Sequence, residues 1–185
     1  MRIELACRGL DIQPILDELG ANPALWDTHT GRTENPDSPH HGLQDIWVRF
    51  APPGSGANTD HRSVWYEAAE HLPSVKDLAF RLMKVFEGVE LGGILITKIP
   101  AGKMCRPHVD NGWHAKHYEK FAVQLASAPG QKFCFQTEGL ETEPGDLFWF
   151  DNSYEHWVIN PTEHDRITLI FCIKTDVMQG AKDHE

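Results

Sequence analysis

The spacing of hydrophobic positions changes about halfway along the chain. In the first half, Ile12, Ile15, Leu16 and Leu19 recur at helical intervals, and Val75, Leu78, Leu82, Val85 and Phe86 do so again. The first stripe predicts a short helix over 11–20, with Asp11 capping its first amides, Pro14 in the first turn and Gly20 as its stop. The second predicts a helix over 74–87, with Ser74 as cap, Asp77 three residues on and Gly88 as terminator. Residues 22–26 read as a further turn packed on the first helix. Between the helices, residues 43–50 alternate as a strand, with Ile46 and Val48 on one face and Trp47 and Arg49 on the other. Two polar stretches, 27–41 and 51–62, carry the glycines, prolines and histidines of long loops. Long loops ahead of a core are where an active-site lid sits, and His29, His40 and His41 are expected to be solvated there.

From Leu91 onward the pattern becomes short strands separated by turns. Strands are expected over 94–99, 104–110, 121–127, 132–137, 146–150, 156–160 and 166–174. Pro100-Ala101-Gly102, Ala128-Pro129-Gly130 and Glu143-Pro144-Gly145 supply turns between them. A run of strands after an N-terminal helical half predicts a mainly β (α+β) fold. The specific expectation is a double-stranded β-helix, a cupin-like jelly roll, with the helices on one outer face. With no repeat and no linker, residues 1–185 read as one domain: 1–90 as helical and loop elaboration, 91–175 as the core.

Composition narrows the function classes. At 41% hydrophobic and 24% charged, the chain is an ordinary globular protein. A net charge of −10 makes nucleic-acid phosphates an unfavourable partner. The longest apolar run, Leu169 to Ile173, falls far short of a membrane span, and the first eight residues hold no apolar signal-peptide core. The four cysteines (7, 105, 134 and 172) form no CxxC pair and read as reduced, mostly buried thiols of a cytoplasmic protein.

The chemistry concentrates around Pro107-His108-Val109-Asp110. Two residues apart on an extended strand, His108 and Asp110 leave the same face. His156 opens another strand 46 residues after Asp110 and can supply a third ligand. Two histidines and a carboxylate on one side of a metal leave open positions opposite, an arrangement suited to non-haem Fe(II) oxygenases. Arg166, ten residues beyond His156, is then a fixed cation for an anionic co-substrate, with the Thr168 hydroxyl on the same strand face.

Three stretches carry a family resemblance. They are Ile99-Pro100-Ala101-Gly102 ahead of His108, Gly145 to His156 with Val158 and Asn160, and Arg166-Ile167-Thr168-Leu169-Ile170. Over about residues 94–174 the chain resembles the Fe(II)- and 2-oxoglutarate-dependent oxygenases, and among them the aspartyl/asparaginyl β-hydroxylase group. The resemblance implies that His108, Asp110 and His156 bind Fe(II), and that Arg166, with Thr168, holds the C5 carboxylate of 2-oxoglutarate. It also implies that the C1 carboxylate and keto oxygen of 2-oxoglutarate chelate the metal. Lys120 stands roughly where the group has an arginine near the co-substrate. Two departures stand out: some members lack the carboxylate ligand that Asp110 supplies here, and the histidine expected after the strand arginine is Ala122. The implied reaction is hydroxylation of a C–H bond on an aspartyl/asparaginyl-type protein side chain or an amino-acid-like small molecule, using O2. Asn111, Trp113, His114, Trp149 and the 27–41 loop are expected to wall the substrate side. Two other readings stay open: a cupin-type hydrolase or isomerase using Zn2+ or Mn2+ on the same ligands, and a non-catalytic module that binds 2-oxoglutarate or a metal.

Overall fold

The computed structural model describes residues 1–55 and 59–175. The chain runs β1 (Ile3–Cys7), α1 (Gln13–Ala21), a 3-10 turn (Pro23–Leu25), β2 (Gln44–Phe50), β3 (Val64–Trp65), α2 (Ala68–His71) and α3 (Pro73–Val85). It continues through β4 (Gly88–Ile99), β5 (Met104–His108), α4 (Trp113–His117), β6 (Glu119–Ala126), β7 (Lys132–Phe135) and β8 (Gly139–Leu140). It ends with β9 (Leu147–Phe150), β10 (His156–Ile159) and β11 (Arg166–Thr175). Seven strands form one antiparallel sheet in the order β1-β9-β6-β11-β4-β2-β3, and four form a second in the order β5-β10-β7-β8. This is the double-stranded β-helix that the strand pattern predicts. The N-terminal half does more than elaborate it: β1 pairs with β9 and β2 with β4, so both flanks of the larger sheet come from there.

Alternation along the strands gives the larger sheet two different faces. Ile46, Val48, Ile94, Ile96, Phe121, Val123, Leu169 and Phe171 point to one side, where Ile15 and Leu19 of α1 and Val75, Leu78 and Leu82 of α3 cover them. The opposite face meets the smaller sheet through Ile3, Ala122, Phe148 and Phe150, packed against Phe133 and Phe135. Burying the helix stripes on a sheet is what keeps these short helices formed, because neither is long enough to persist alone.

The helix ends differ from expectation. Asp11 does accept a bond from the amide of Gln13 at 3.1 Å. Gly20, however, lies inside α1, which ends at Ala21 and is capped by Asn22, whose amide Nδ2 donates to the carbonyl of Glu18 at 2.9 Å. Ser74 does not cap its own helix, which starts at Pro73. Instead the Glu18 carboxylate of α1 accepts from the Ser74 amide at 3.1 and 3.2 Å and from its hydroxyl at 2.6 Å. Gly88 begins β4 rather than ending α3, and Glu87 takes the left-handed position at φ 51°. Gly88 is small for another reason: a Cβ there would sit 2.7 Å from Ile173 and Met83.

Candidate metal and co-substrate site

The register of β5 and β10 places His156 directly opposite His108, with ring centroids 4.4 Å apart. Asp110 lies just past β5, where its amide donates to the Asn152 carbonyl at 3.2 Å. Its Oδ1 lies 3.4 Å from His108 Nε2. One ligand atom from each of His108, Asp110 and His156 falls within 4.8 Å of the others. Both imidazoles are oriented the same way: His108 Nδ1 meets the carbonyl of Arg106 at 2.8 Å, and His156 Nδ1 that of Tyr154 at 2.9 Å. A carbonyl two residues back fixes each ring as the Nδ1–H tautomer and turns Nε2 inward, which is how metal-binding histidines are prepared. The donor set therefore fits a divalent iron with open coordination positions.

The electrostatics agree with that fit. Burial pushes the Asp110 carboxyl upward, but Lys120, whose Nζ lies 3.2 Å from Oδ2, and the His108 hydrogen bond hold it well below the usual range. Burial lowers His108, yet its hydrogen bonds to Asp110 and Cys105 raise it to about 10. The carboxylate that favours a proton on Nε2 is equally placed to share a cation with it. Burial lowers His156, which keeps it neutral. Lys120 is raised by Asp110 in spite of its burial, so it is an ammonium at neutral pH.

These groups line a cavity of about 70 Å3 between the two sheets. Thr97 and Thr168 in its floor belong to a polar row across the larger sheet, because Asp45 is in register with Thr97, Thr97 with Thr168, and Thr168 with Gln124. Phe133, Phe150, Ile170 and Val158 supply apolar walls. On β11, Arg166 continues the row of Thr168 and Ile170. Arg166 is 1% exposed, and its Nη2 donates to Thr142 Oγ1 at 3.2 Å. Its Nε and Nη1 are buried with no hydrogen-bond partner among the described residues. Burial lowers its pKa only to about 10, so it is a cation with two unspent donors. Two buried donors without acceptors cost roughly 1–3 kcal/mol each, and an anion is what relieves that cost.

Not every expected residue faces this cavity. His108, Asp110, His156, Lys120 and Thr168 line it, with Arg166 at the end of their row. Asn111 and Trp149 line a neighbouring groove that shares Asp110. Trp149 packs on the helix side of the larger sheet, because Phe148 and Phe150 take the cavity side of β9. Trp113 and His114 sit in a separate aromatic cluster, in which His114 stacks on His61 at 5.7 Å and accepts from the amide of Gly93 at 3.3 Å. In the other direction, the 27–41 loop supplies Arg32 and His40 to the cavity wall. It is pinned to β5, whose Arg106 amide donates to the Pro39 carbonyl at 3.0 Å and whose guanidinium donates to the carbonyls of Pro36 and Ser38. His40, expected to be solvated, is held neutral by burial and by Arg32. Cys105 is buried beside it, its Sγ 4.0 Å from His108 Nδ1. Nothing in a polar loop sequence distinguishes Arg32 and His40 from their exposed neighbours.

No helix of the described residues is long and apolar enough to cross a membrane. Comparison with known proteins places the arrangement. Among solved structures, a viral collagen prolyl hydroxylase from Paramecium bursaria Chlorella virus-1 superposes with a TM-score of 0.57 at 12% identity, covering 95% of this chain and 97% of that one. A prolyl-4-hydroxylase of Pseudomonas putida gives 0.56 at 14% identity, over 94% and 92%. An oxidoreductase of the 2OG-Fe(II) oxygenase family from Burkholderia pseudomallei also gives 0.56 at 14% identity, over 73% and 69%. At these identities the likeness is one of fold. No curated protein matches the sequence closely enough to add to this. The model of the aspartyl/asparaginyl beta-hydroxylase family matches residues 12–175, which include His108, Asp110, His156 and Arg166. The chain belongs to the aspartyl/asparaginyl beta-hydroxylase family and is a 2-oxoglutarate-dependent hydroxylase that uses Fe(II).

Proposed function

We propose that the chain hydroxylates a C–H bond of an aspartyl/asparaginyl-type side chain or of an amino-acid-like small molecule. In this reading His108, Asp110 and His156 hold Fe(II), and Arg166 with Thr168 holds the distal carboxylate of 2-oxoglutarate. When bound, iron and 2-oxoglutarate supply with O2 the oxidising power for hydroxylation, releasing succinate and carbon dioxide. The protein's part lies in its own residues. The Arg106 and Tyr154 carbonyls aim the two imidazoles, Lys120 keeps Asp110 ionised, and the phenylalanine and isoleucine walls exclude water. Lys120 also lies in the cavity wall, within reach of the co-substrate. Asn111 and Trp149 flank the outer approach, whereas Trp113 and His114 are read as structural.

The observation that carries this reading is the buried Arg166 with two unspent donors, in line with Thr168 and Ile170. A hydrolase or isomerase on the same ligands has no use for such a cation, while a 2-oxoglutarate enzyme requires one. Replacing it is the direct test. Arg166→Ala is expected to raise the 2-oxoglutarate requirement about a hundredfold, as loss of paired charge-assisted hydrogen bonds predicts, with iron content unchanged. Equal loss of iron and 2-oxoglutarate binding would remove Arg166 from that role.

A further inference from the structure

His40, Cys105 and His108 form a second group of metal-binding side chains in the cavity wall. One donor atom from each lies within 4.8 Å of the others, and the Cys105 Sγ is 4.0 Å from His108 Nδ1. Cys105 and His108 are three residues apart on β5, a spacing that would put them on opposite faces of a regular strand. A bulge corrects this: His108 pairs with His156 and Cys105 with Val158, so three residues of β5 oppose two of β10 and both side chains line the cavity. The 27–41 loop, pinned to β5 at Pro39, brings His40 edge-on to His108 with ring centroids 5.1 Å apart. The His40 amide donates to Ser38 Oγ at 3.2 Å, whereas its ring nitrogens have no hydrogen bond among the described residues. Burial and Arg32 hold that ring neutral, the form in which an imidazole binds a metal.

A thiolate with two imidazoles is a softer donor set than two imidazoles with a carboxylate, and it suits Zn2+ with a water in the fourth position. His108 belongs to both sets but cannot serve both, because a neutral imidazole has one free lone pair. A metal on Nδ1 displaces the Arg106 carbonyl and leaves the ring proton on Nε2, where Asp110 Oδ1 lies 3.4 Å away to accept it. We infer that His40, Cys105 and His108 form a zinc site whose occupation excludes iron, so that Zn2+ silences the hydroxylase by taking one imidazole away from the iron set. As the metal–sulfur and metal–nitrogen bonds form, the Cys105 thiol and His108 Nδ1 each release a proton to solvent. The nearby cations are already paired, Arg32 with Asp45 at 2.9 Å and Lys120 with Asp110 at 3.2 Å, which leaves the thiolate charge for the zinc. The exclusion of iron rests on the ligand reading proposed above; the zinc site rests on its own three side chains.

Two titrations of the full chain test this. In the first, the metal-free chain receives Co2+, a spectroscopic stand-in for Zn2+, with no iron or 2-oxoglutarate present. An intense thiolate-to-cobalt band in the near ultraviolet is expected, removed by added Zn2+ and lost in Cys105→Ser although Cys7, Cys134 and Cys172 remain. In the second, Zn2+ is added to the anaerobic Fe(II)–2-oxoglutarate complex and the decay of its visible charge-transfer band is followed. Cys105→Ser and His40→Ala are expected to form that band as the unaltered chain does, yet to need at least about tenfold more Zn2+ for its half-loss, the lower end of what one substitution around a metal costs. His40 is a half-buried loop residue, so His40→Ala decides the matter if Cys105→Ser fails to fold. Absence of the thiolate band, or its survival in Cys105→Ser, would overturn the zinc site. Equal zinc sensitivity in the variants and the unaltered chain would mean that zinc merely takes the place of iron, and would overturn the exclusion. If the iron band never forms before zinc is added, the ligand reading has failed, and the cobalt titration still decides the zinc site.

Discussion

At the residue scale, the functional signal lies in how few side chains are given freedom. His108 and His156 are each held by a carbonyl two residues back, Asp110 is flanked by Lys120, and Arg166 keeps two donors in reserve. His114 shows the opposite use of a buried histidine. Burial, with Lys120 and His61 adding to it, lowers its pKa from 6.5 to about 3. Between those values the unfolded chain takes up a proton that the folded chain refuses, so stability falls as the pH drops, by up to about 1.4 kcal/mol per pH unit. Urea midpoints followed downward from pH 6.5 should decline less steeply in His114→Gln than in the unaltered chain; parallel curves would show that His114 is not the group responsible. That the structure gathers His108, Asp110 and His156 at one point was readable from sequence because spacing and strand positions suffice: a pair two residues apart, then a residue at the head of another strand. The substrate-side residues were not. Gly112, at φ 90° and two residues after Asp110, turns the chain into α4, so the strand alternation that would carry Trp113 and His114 onward does not apply. Leu147-Phe148-Trp149-Phe150 is apolar on both faces, so its periodicity cannot say which side Trp149 takes.

At the element scale, the two helices are joined by a bond that neither sequence segment announces. Glu18 of α1 supplies the acceptor that α3 lacks at its first turn, occupying both the amide and the hydroxyl of Ser74. Glu18→Ala should therefore cost about 1–2 kcal/mol, the worth of a lost helix cap, measured by urea denaturation. Ser74→Ala should cost less, because the amide keeps its carboxylate. If both substitutions prove neutral, the clamp contributes nothing to stability. A Ser followed three residues later by an acid is the pattern of a self-contained cap, and here a partner 56 residues away in sequence takes its place. Local pattern placed both helices correctly and misplaced their ends, since ends are decided by whichever tertiary acceptor lies nearest.

At the scale of the whole molecule, two unequal sheets divide the labour. The seven-stranded sheet turns one face to α1 and α3 and offers the other as the floor of the cavity, while the four-stranded sheet carries His108 and His156. The alternating second half made this architecture readable. The contribution of β1 was not, because it is short and half-exposed, and its place beside β9 is set by long-range pairing. The 27–41 loop is likewise fixed from a distance, through Arg106 of β5 and Asp45 of β2, and so brings Arg32 and His40 to the site. The central claim is that these pieces converge on one iron and one 2-oxoglutarate. Its most direct test is anaerobic titration of the chain with Fe(II) and 2-oxoglutarate, followed by visible absorption. The account predicts a metal-to-ligand charge-transfer band that saturates at one equivalent of each and is abolished by His156→Ala. A chain that binds both without forming the band, or that keeps the band after His156 is replaced, would contradict it.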